Sequence, residues 1–397
     1  MWGDARRRLQ VAAVLSSTSL SAVAFALLHQ PHRSFDVKVY RGAVDRWAHG
    51  GDLYSFGLGA RHLGFTYPPF AALCFLPMLL LPLAAVIVLN QLAVIASVAL
   101  LLRVVVARLP SVSHLGPWLL AAVLTPPVLL LQPVRDTVTF GQINIGLAAL
   151  VTLDLLLIER GSRWGGIGAG LATALKLTPG LFLVLYLLTG PRPTFRTSVL
   201  SFLAATGLAA AVAPHTSWSF WTSTLFDSSR VGSYDSASNQ SFAGVLARLT
   251  NSGQVPGAWL PLIVVISAAA LWAARRLFRA GAHLPAFTAV GLTAAVASPI
   301  SWVHHLWWVV PALLLLLDQG LQRRSWWRVS LVAVLAAVLA SGLPDTMRAT
   351  SGHHLDSAMT VLGENVYGVT VIVLLVLVCA LPSSWPERVA PRVPELV

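Results

Sequence analysis

Cysteine is nearly missing from this chain of 397 residues: Cys74 and Cys379 are the only two. Each falls inside an apolar run and neither shows metal-ligand spacing, which excludes a disulfide framework or a zinc site. Charge is scarce too. Asp, Glu, Lys and Arg make up 11% of the residues, and 15 acids face 27 bases, for a formal net charge of +12. Also lacking are an inverted internal repeat, common in secondary transporters, and any polar stretch long enough for a separate soluble domain.

What is present is apolar. Hydrophobic residues account for 56% of the chain and the mean hydropathy is +0.74, beyond the ~45–50% apolar share of soluble domains. The fold class that follows is an all-α polytopic membrane protein. A basic balance can indicate nucleic acid, but here the arginines sit in short clusters between apolar runs, at Arg6–Arg8, Arg275–Arg279 and Arg323–Arg328. Placed so, they hold loops at the anionic cytoplasmic leaflet of the cell membrane, with membrane lipids rather than nucleic acid as their partners.

Val11–Leu28, preceded by Arg6–Arg8, reads as a retained signal anchor running outward from a cytoplasmic N-terminus. The loop that follows, 34–66, is then external. In the second half, runs at Phe195–Val212, Leu260–Ala274, Pro285–Ala297, Trp302–Leu317, Val329–Ala340 and Val366–Leu381 alternate cleanly. Their basic ends share the cytoplasmic side, and the loops His215–Gly257, Ser298–His305 and Asp345–Asn365 fall outside. Between Arg103 and Gly190 the pattern is harder to follow. Apolar runs are broken at Thr125-Pro126-Pro127 and Lys176-Leu177-Thr178-Pro179, and the basic groups at 103–108 and 159–163 do not fit one alternating count. Irregular backbone at membrane depth is tolerated where it lines a protected or water-filled cavity. Residues 1–382 are expected to form one membrane domain and 383–397 a short cytoplasmic tail, in a protein acting as a monomer.

Polar chemistry gathers in a few places. Ser34–Phe70 holds Asp36, Lys38, Arg41, Asp45, Arg46, Asp52 and Arg61, and an apolar stripe over Ser34–Ala48 predicts a short juxtamembrane helix with Asp36 and Tyr40 one turn apart on one face. A lone external aspartate is more often a solvated charge than a base. Gln142 and Asn144 stand two residues apart at a helix start, as caps or as ligands for a hydroxyl-rich molecule. Lys176 interrupts an apolar segment, where an ammonium costs ~2.5–3.5 kcal/mol and needs a cavity, a partner or a snorkelling path. Ser238-Asn239-Gln240-Ser241 alone is ordinary loop composition. Ser298-Pro299-Ile300-Ser301-Trp302-Val303-His304-His305 puts two adjacent histidines at an external helix end. Adjacent side chains diverge on a helix, which suits an anion better than one shared metal ion.

Taken in order, Asp36-Val37-Lys38-Val39-Tyr40, Phe65-Thr66-Tyr67-Pro68-Pro69-Phe70-Ala71-Ala72, Gly141-Gln142-Ile143-Asn144, Lys176-Leu177-Thr178-Pro179, Asn239-Gln240-Ser241 and the 298–305 stretch resemble the motifs of glycosyltransferase family 87, over about residues 10–381. The resemblance implies a GT-C glycosyltransferase fold of about twelve transmembrane or re-entrant helices, with the active site on the external face. It implies a polyprenyl-phosphate-mannose donor in place of a nucleotide sugar, and a phosphatidylinositol mannoside-like or other glycolipid acceptor. Asp36 becomes the base on the acceptor hydroxyl, and His304 or His305 contacts the donor phosphate. The chemistry needs those roles: a glycosyl phosphate carries its own leaving group, so the protein supplies a base, groups for the departing phosphate, and hydrogen bonds to the sugar. Candidates for holding substrate are Tyr40, Tyr67, Pro68, Gln142, Asn144, Lys176, Asn239, Gln240, Ser298 and Ser301. A single base suits displacement with inversion, by analogy with inverting glycosidases. No cofactor or metal is expected, and the histidines should act more strongly when protonated. The competing readings are a GT-C enzyme transferring arabinose or glucose, and a transporter using Lys176 and the histidines as a proton or substrate path.

Overall fold

The structure, a computed structural model, describes residues 10–19, 32–59, 62–189, 192–227, 230–250, 254–255, 257, 259–351 and 358–382. Arg6–Arg8, the latter half of the expected first helix and the tail 383–397 lie outside the described residues; residues 10–19 are helical and form α1. The juxtamembrane helix expected over 34–48 is α2, Phe35–Ala48. Its apolar stripe turns inward, burying Val37, Val39, Tyr40, Ala43 and Val44. Asp36 in the first turn and Arg46 in the last both complement the helix dipole. The loop beyond adds one feature that helical periodicity did not suggest, a two-stranded antiparallel hairpin of β1 (Gly57–Leu58) and β2 (Leu63–Gly64). Pro69 then opens α3 (Pro69–Phe75), its missing N–H falling where no intrahelical partner exists.

From Pro82 onward the chain shuttles between two ends. Helix α4 (Leu83–Val106) is followed by α5 (Pro117–Leu130) and α6 (Gln132–Phe140), bent by 81° at the break between them. Helix α7 (Asn144–Glu159) descends, α8 (Ile167–Leu175) returns, α9 (Gly180–Thr189) descends again, and α10 (Arg192–Val212) leads to the short α11 (Pro214–Thr222). Helices α12 (Phe242–Leu249), α13 (Trp259–Arg279), α14 (His283–Ala297), α15 (Val309–Gln322), α16 (Trp326–Ser341), α17 (Leu343–Ser351) and α18 (Ala358–Cys379) complete the bundle.

At one end the basic residues meet. Arg108 pairs with Glu159, Ser111 N–H donates to Asp318 (2.9 Å), Arg275 to the Leu188 carbonyl (3.0 Å), and Arg276 to the Cys379 carbonyl (2.9 Å). The groups at 103–108 and 159–163 thus lie together. One excursion, α5–α6 up and α7 down, separates them in sequence, which resolves the count that failed on reading the chain linearly.

The α8–α9 hairpin is short because Lys176–Pro179 breaks it. Ten residues of α9 span ~15 Å at 1.5 Å per residue, about half of a ~30 Å hydrocarbon core. Glycine lets α8 pack tightly: a Cβ on Gly168 would come within 1.9 Å of the Leu150 carbonyl oxygen on α7. At the same contact Asp154 of α7 accepts from Gly168 N–H and Ala169 N–H (both 2.8 Å) and from the Tyr186 hydroxyl (3.0 Å). A buried carboxylate with three donors fixes the hairpin that carries Lys176.

Among the described residues four helices are long and apolar enough to cross a membrane, or six if each bent pair counts as one span. Four shorter apolar helices accompany them. Proline and glycine breaks divide the apolar runs of the described residues, so length alone marks out only part of the expected dozen transmembrane or re-entrant helices.

Candidate active site

A cavity of about 500 Å³ opens at the end away from the arginine cluster. Its wall brings together Asp36 and Tyr40 of α2, Tyr67 and Pro68 before α3, Gln142 in the α6–α7 turn, and Lys176 after α8. Ser298, Trp302, His304 and His305 from the α14–α15 connection close it.

The local backbone explains the meeting of α2 with the α6–α7 turn. Gly141 caps α6 at φ +77°, a conformation side chains with a Cβ disfavour, and a Cβ there would lie 2.2 Å from Val37 Cγ2. Glycine thus lets α2 approach, and Ser34 N–H donates to the Thr139 carbonyl (2.7 Å). Gln142 Nε2 then donates to Asp36 Oδ2 (2.7 Å). Gln142 Oε1 accepts from the Tyr67 hydroxyl (2.9 Å) and from Asn144 Nδ2 (3.3 Å). Since the Tyr67 proton is spent on Gln142, Tyr40 is the donor in the 2.9 Å contact between the two phenols.

Lys176 answers for its depth. It sits in extended backbone (φ −155°, ψ 128°) where α8 stops, and Pro179 prevents α8 from continuing. Its Nζ donates to Asn144 Oδ1 (2.8 Å) and to His305 Nε2 (2.9 Å) and stands 5.3 Å from the centre of the Tyr67 ring. Asp36, Gln142, Asn144, Lys176 and His305 form one continuous hydrogen-bonded chain, with Asn144 joining it from behind the wall. The two carboxamides are therefore linkers between charged groups, not helix caps.

The electrostatics follow from burial. Asp36 is pushed up to about 7 by burial, against the opposing pulls of the Gln142 hydrogen bond and the Lys176 charge. Burial, reinforced by Lys176, holds both His304 and His305 well below the ordinary imidazole range. The histidines were expected to act on an anion more strongly when protonated; burial and Lys176 oppose that protonation, and burial pulls Lys176 itself down to about 7. His305 accepts from it. His304 turns its ring to Phe140 (5.1 Å between centres), and its Nε2 has no partner among the described residues.

The remaining sequence candidates are placed differently. Asn239 Oδ1 accepts from Ser241 N–H (3.2 Å) and Ser301 N–H (2.9 Å), and its Nδ2 donates to the Tyr234 carbonyl (3.0 Å). Gln240 Nε2 donates to the Glu364 carbonyl (2.8 Å), while its Oε1 accepts from Gly368 N–H (2.7 Å). Both are fully buried and lie behind the cavity wall. With Val303 N–H on the Ser238 carbonyl (3.0 Å), they brace the turn that presents the histidines. Ser298 lines the cavity with its hydroxyl on the Ile300 carbonyl (2.7 Å). Ser301 is buried beside Asn144 and His305 in a smaller pocket behind it.

His32, Asp136, Arg230 and Asp345 also line the cavity and were not singled out from sequence. Asp136 carried a signal: with Arg135 it is a charged pair inside a proline-broken apolar stretch.

A helical membrane scaffold that sets a carboxylate, a lysine and a histidine pair around one cavity holds groups that a transferase can use. The profile of glycosyltransferase family 87 matches residues 65–299, and the chain belongs to that family. Tyr67, Gln142, Asn144 and Lys176 fall inside the matched stretch; Asp36 and the histidines fall outside it. A polyprenol-phosphate-mannose-dependent alpha-(1-2)-phosphatidylinositol mannoside mannosyltransferase of Mycobacterium tuberculosis (strain ATCC 25618 / H37Rv) is 36% identical over 330 residues, 79% of this chain and 77% of its own length. Its namesake in Mycolicibacterium smegmatis is 35% identical over 338 residues, 78% of this chain and 76% of its own. A polyprenol-phosphate-mannose-dependent alpha-(1-2)-phosphatidylinositol pentamannoside mannosyltransferase of Mycobacterium tuberculosis (strain CDC 1551 / Oshkosh) is 32% identical over 305 residues, 74% of this chain and 68% of its own. No solved structure gives a significant match.

Proposed function

We propose that this glycosyltransferase moves a mannosyl residue from polyprenol-phosphate-mannose to a hydroxyl of a phosphatidylinositol mannoside-like glycolipid, forming an α-1,2 linkage with inversion. The observation that carries the reading is the hydrogen-bonded chain from Asp36 and Gln142 on the cavity wall, through Asn144 behind it, to Lys176 and His305 on the wall again. Asp36 takes the proton of the attacking acceptor hydroxyl as the new bond forms at the anomeric carbon. The bond from that carbon to the phosphate oxygen breaks, and the departing dianionic polyprenyl phosphate is met by the Lys176 ammonium. His305 fixes the lysine, and the Tyr40–Tyr67–Gln142 relay fixes the carboxylate. Purified protein given radiolabelled polyprenyl-phosphate-mannose and a panel of lipid acceptors should yield labelled mannolipid; no transfer to any acceptor would remove the assignment.

Among the described residues, no three His, Cys, Asp or Glu side chains are grouped to hold an ion. A hard cation on phosphate normally takes one or two carboxylates with water, and here the cationic role is filled by Lys176. Transfer is therefore expected to survive EDTA with at most a twofold loss. Loss of activity restored by magnesium or manganese would put a metal on the phosphate.

The same reading puts the cavity on the external face of the cell membrane, since the basic clusters at 103–108, 159–163, 275–279 and 323–328 lie at the opposite end. A cysteine at Ser55 or Ser236, introduced singly, should react with a membrane-impermeant thiol reagent on intact cells, and one at Ser325 should not. Labelling at 325 from outside would reverse the orientation.

A further inference from the structure

One wall of the cavity carries neither the base nor the lysine. It presents two carboxylates, Asp136 on α6 and Asp345 on α17, with His32 and Ser238 beside them. Asp136 is buried and Asp345 lies exposed at the mouth. Gln132, one turn before Asp136, holds the pair: its Nε2 donates to Asp136 Oδ2 (3.1 Å) and to Asp345 Oδ2 (2.6 Å). Its Oε1 accepts from the Tyr367 hydroxyl (2.7 Å), and Tyr367 is itself pinned by Gly342 N–H (3.0 Å). Gln132 therefore points one way only. Ser238 donates to Asp345 Oδ1 (3.1 Å), and His32 Nε2 lies 3.8 Å from Asp136 Oδ1 while its ring stacks on Phe140 at 3.6 Å.

Carboxylates accept and do not donate when ionised, and two of them aligned on one wall repel each other. Arg135, which acts on Asp136, spends its Nη1 on the Leu130 carbonyl (3.2 Å). A second observation points to a ligand. Asp136 is 6% exposed and lines the cavity, and among the described residues its Oδ1 has only His32 Nε2 nearby, at 3.8 Å and beyond hydrogen-bond reach. His304 joins the two walls, with Phe140 between its ring and that of His32. Trp302 adds an aromatic surface. The acceptor oxygens of this wall suit hydroxyl donors better than a phosphate, whose own oxygens also only accept. A neutral polyol, rich in hydroxyl donors, fits.

We propose that Asp136 and Asp345, aligned by Gln132, form a subsite for a neutral sugar ring of the acceptor. This deepens the mannosyl-transfer reading and rests on it. The subsite selects which glycan presents its hydroxyl to Asp36 and takes no part in bond making.

The test uses octyl α-D-mannopyranoside as a water-soluble acceptor probe with the full-length detergent-solubilised protein. Asp345→Asn keeps the size of the side chain and an acceptor for Ser238, and gives up the acceptor that Gln132 Nε2 uses at the exposed mouth. It is expected to raise the acceptor KM about tenfold or more, the scale of a lost hydrogen bond to a charged group, with the polyprenyl-phosphate-mannose KM and the thermal midpoint unchanged. Asp136→Asn should act in the same direction; if it fails to fold, Asp345→Asn decides. A rise in donor KM with acceptor KM unchanged would assign the wall to the donor sugar and overturn the subsite. No change in either KM would reduce the pair to architecture and overturn it equally. Binding of the probe without donor, read by quenching of tryptophan fluorescence, separates the two hypotheses. If wild-type protein transfers no mannose yet binds the probe and Asp345→Asn does not, the reaction is misassigned and the subsite stands; equal binding by both proteins overturns the subsite.

Discussion

Asp36→Asn is expected to lower turnover by about 10²- to 10⁴-fold, the usual contribution of a positioned general base, with the fold intact. Asparagine keeps the shape and still accepts from Gln142 Nε2, so the link at 2.7 Å between α2 and the α6–α7 turn survives. What it cannot do is take a proton. The wild-type pH profile carries the same signature: with Asp36 pushed up to about 7, its basic form is the minor species below that pH. In wild-type protein kcat/KM for transfer should be bell-shaped about pH 7, falling roughly tenfold per unit on the acid side as Asp36 takes up its proton, and on the alkaline side as Lys176, pulled down to about 7 by burial, loses its own. Near-full turnover by Asp36→Asn, or a wild-type profile flat from pH 5.5 to 8, would return Asp36 to an ordinary buried charge.

Periodicity made part of this legible in advance. The apolar positions from Phe35 to Trp47 repeat at helical spacing, and α2 begins and ends within a residue of the expected bounds. Pro69 opened the next helix and Pro82 capped α4, because proline constrains the backbone whatever surrounds it. The middle third was illegible for an equally local reason. A run broken by Pro126-Pro127 or by Lys176–Pro179 reads as too short to cross, and only the observed bend of 81° and the α8–α9 hairpin show how it returns. Motifs located the site but did not assign roles within it. Asn239 and Gln240 stand in a motif beside the histidines, yet their carboxamides serve backbone groups on Ser301 and Gly368. Asp136 and Asp345 are over two hundred residues apart in sequence, and no spacing rule brings them to Gln132. Contacts of that range arise from packing, which composition and period do not encode.

Lys176→Met is expected to reduce transfer from the lipid-phosphate donor by about 10²- to 10³-fold, the cost of removing one preorganised group that meets developing negative charge. Methionine fills similar space without an ammonium at membrane depth, which offsets the loss of bonds to Asn144 Oδ1 and His305 Nε2, so the thermal midpoint in detergent should hold. Lys176→Arg is not expected to rescue. A planar guanidinium presents its donors in a fixed fork, whereas the acceptors at 2.8 Å and 2.9 Å converge on one nitrogen. His305→Ala removes a neutral acceptor that aims the lysine, and should cost less than Lys176→Met; the double variant should be no worse than Lys176→Met alone, because both act through one cation. His304→Ala should leave the donor response close to wild type, since His304 makes no contact with Lys176 in this network. The reverse order, with either histidine variant more damaging than Lys176→Met and all variants folded, would hand the phosphate back to the imidazoles and leave the lysine a structural partner of Asn144.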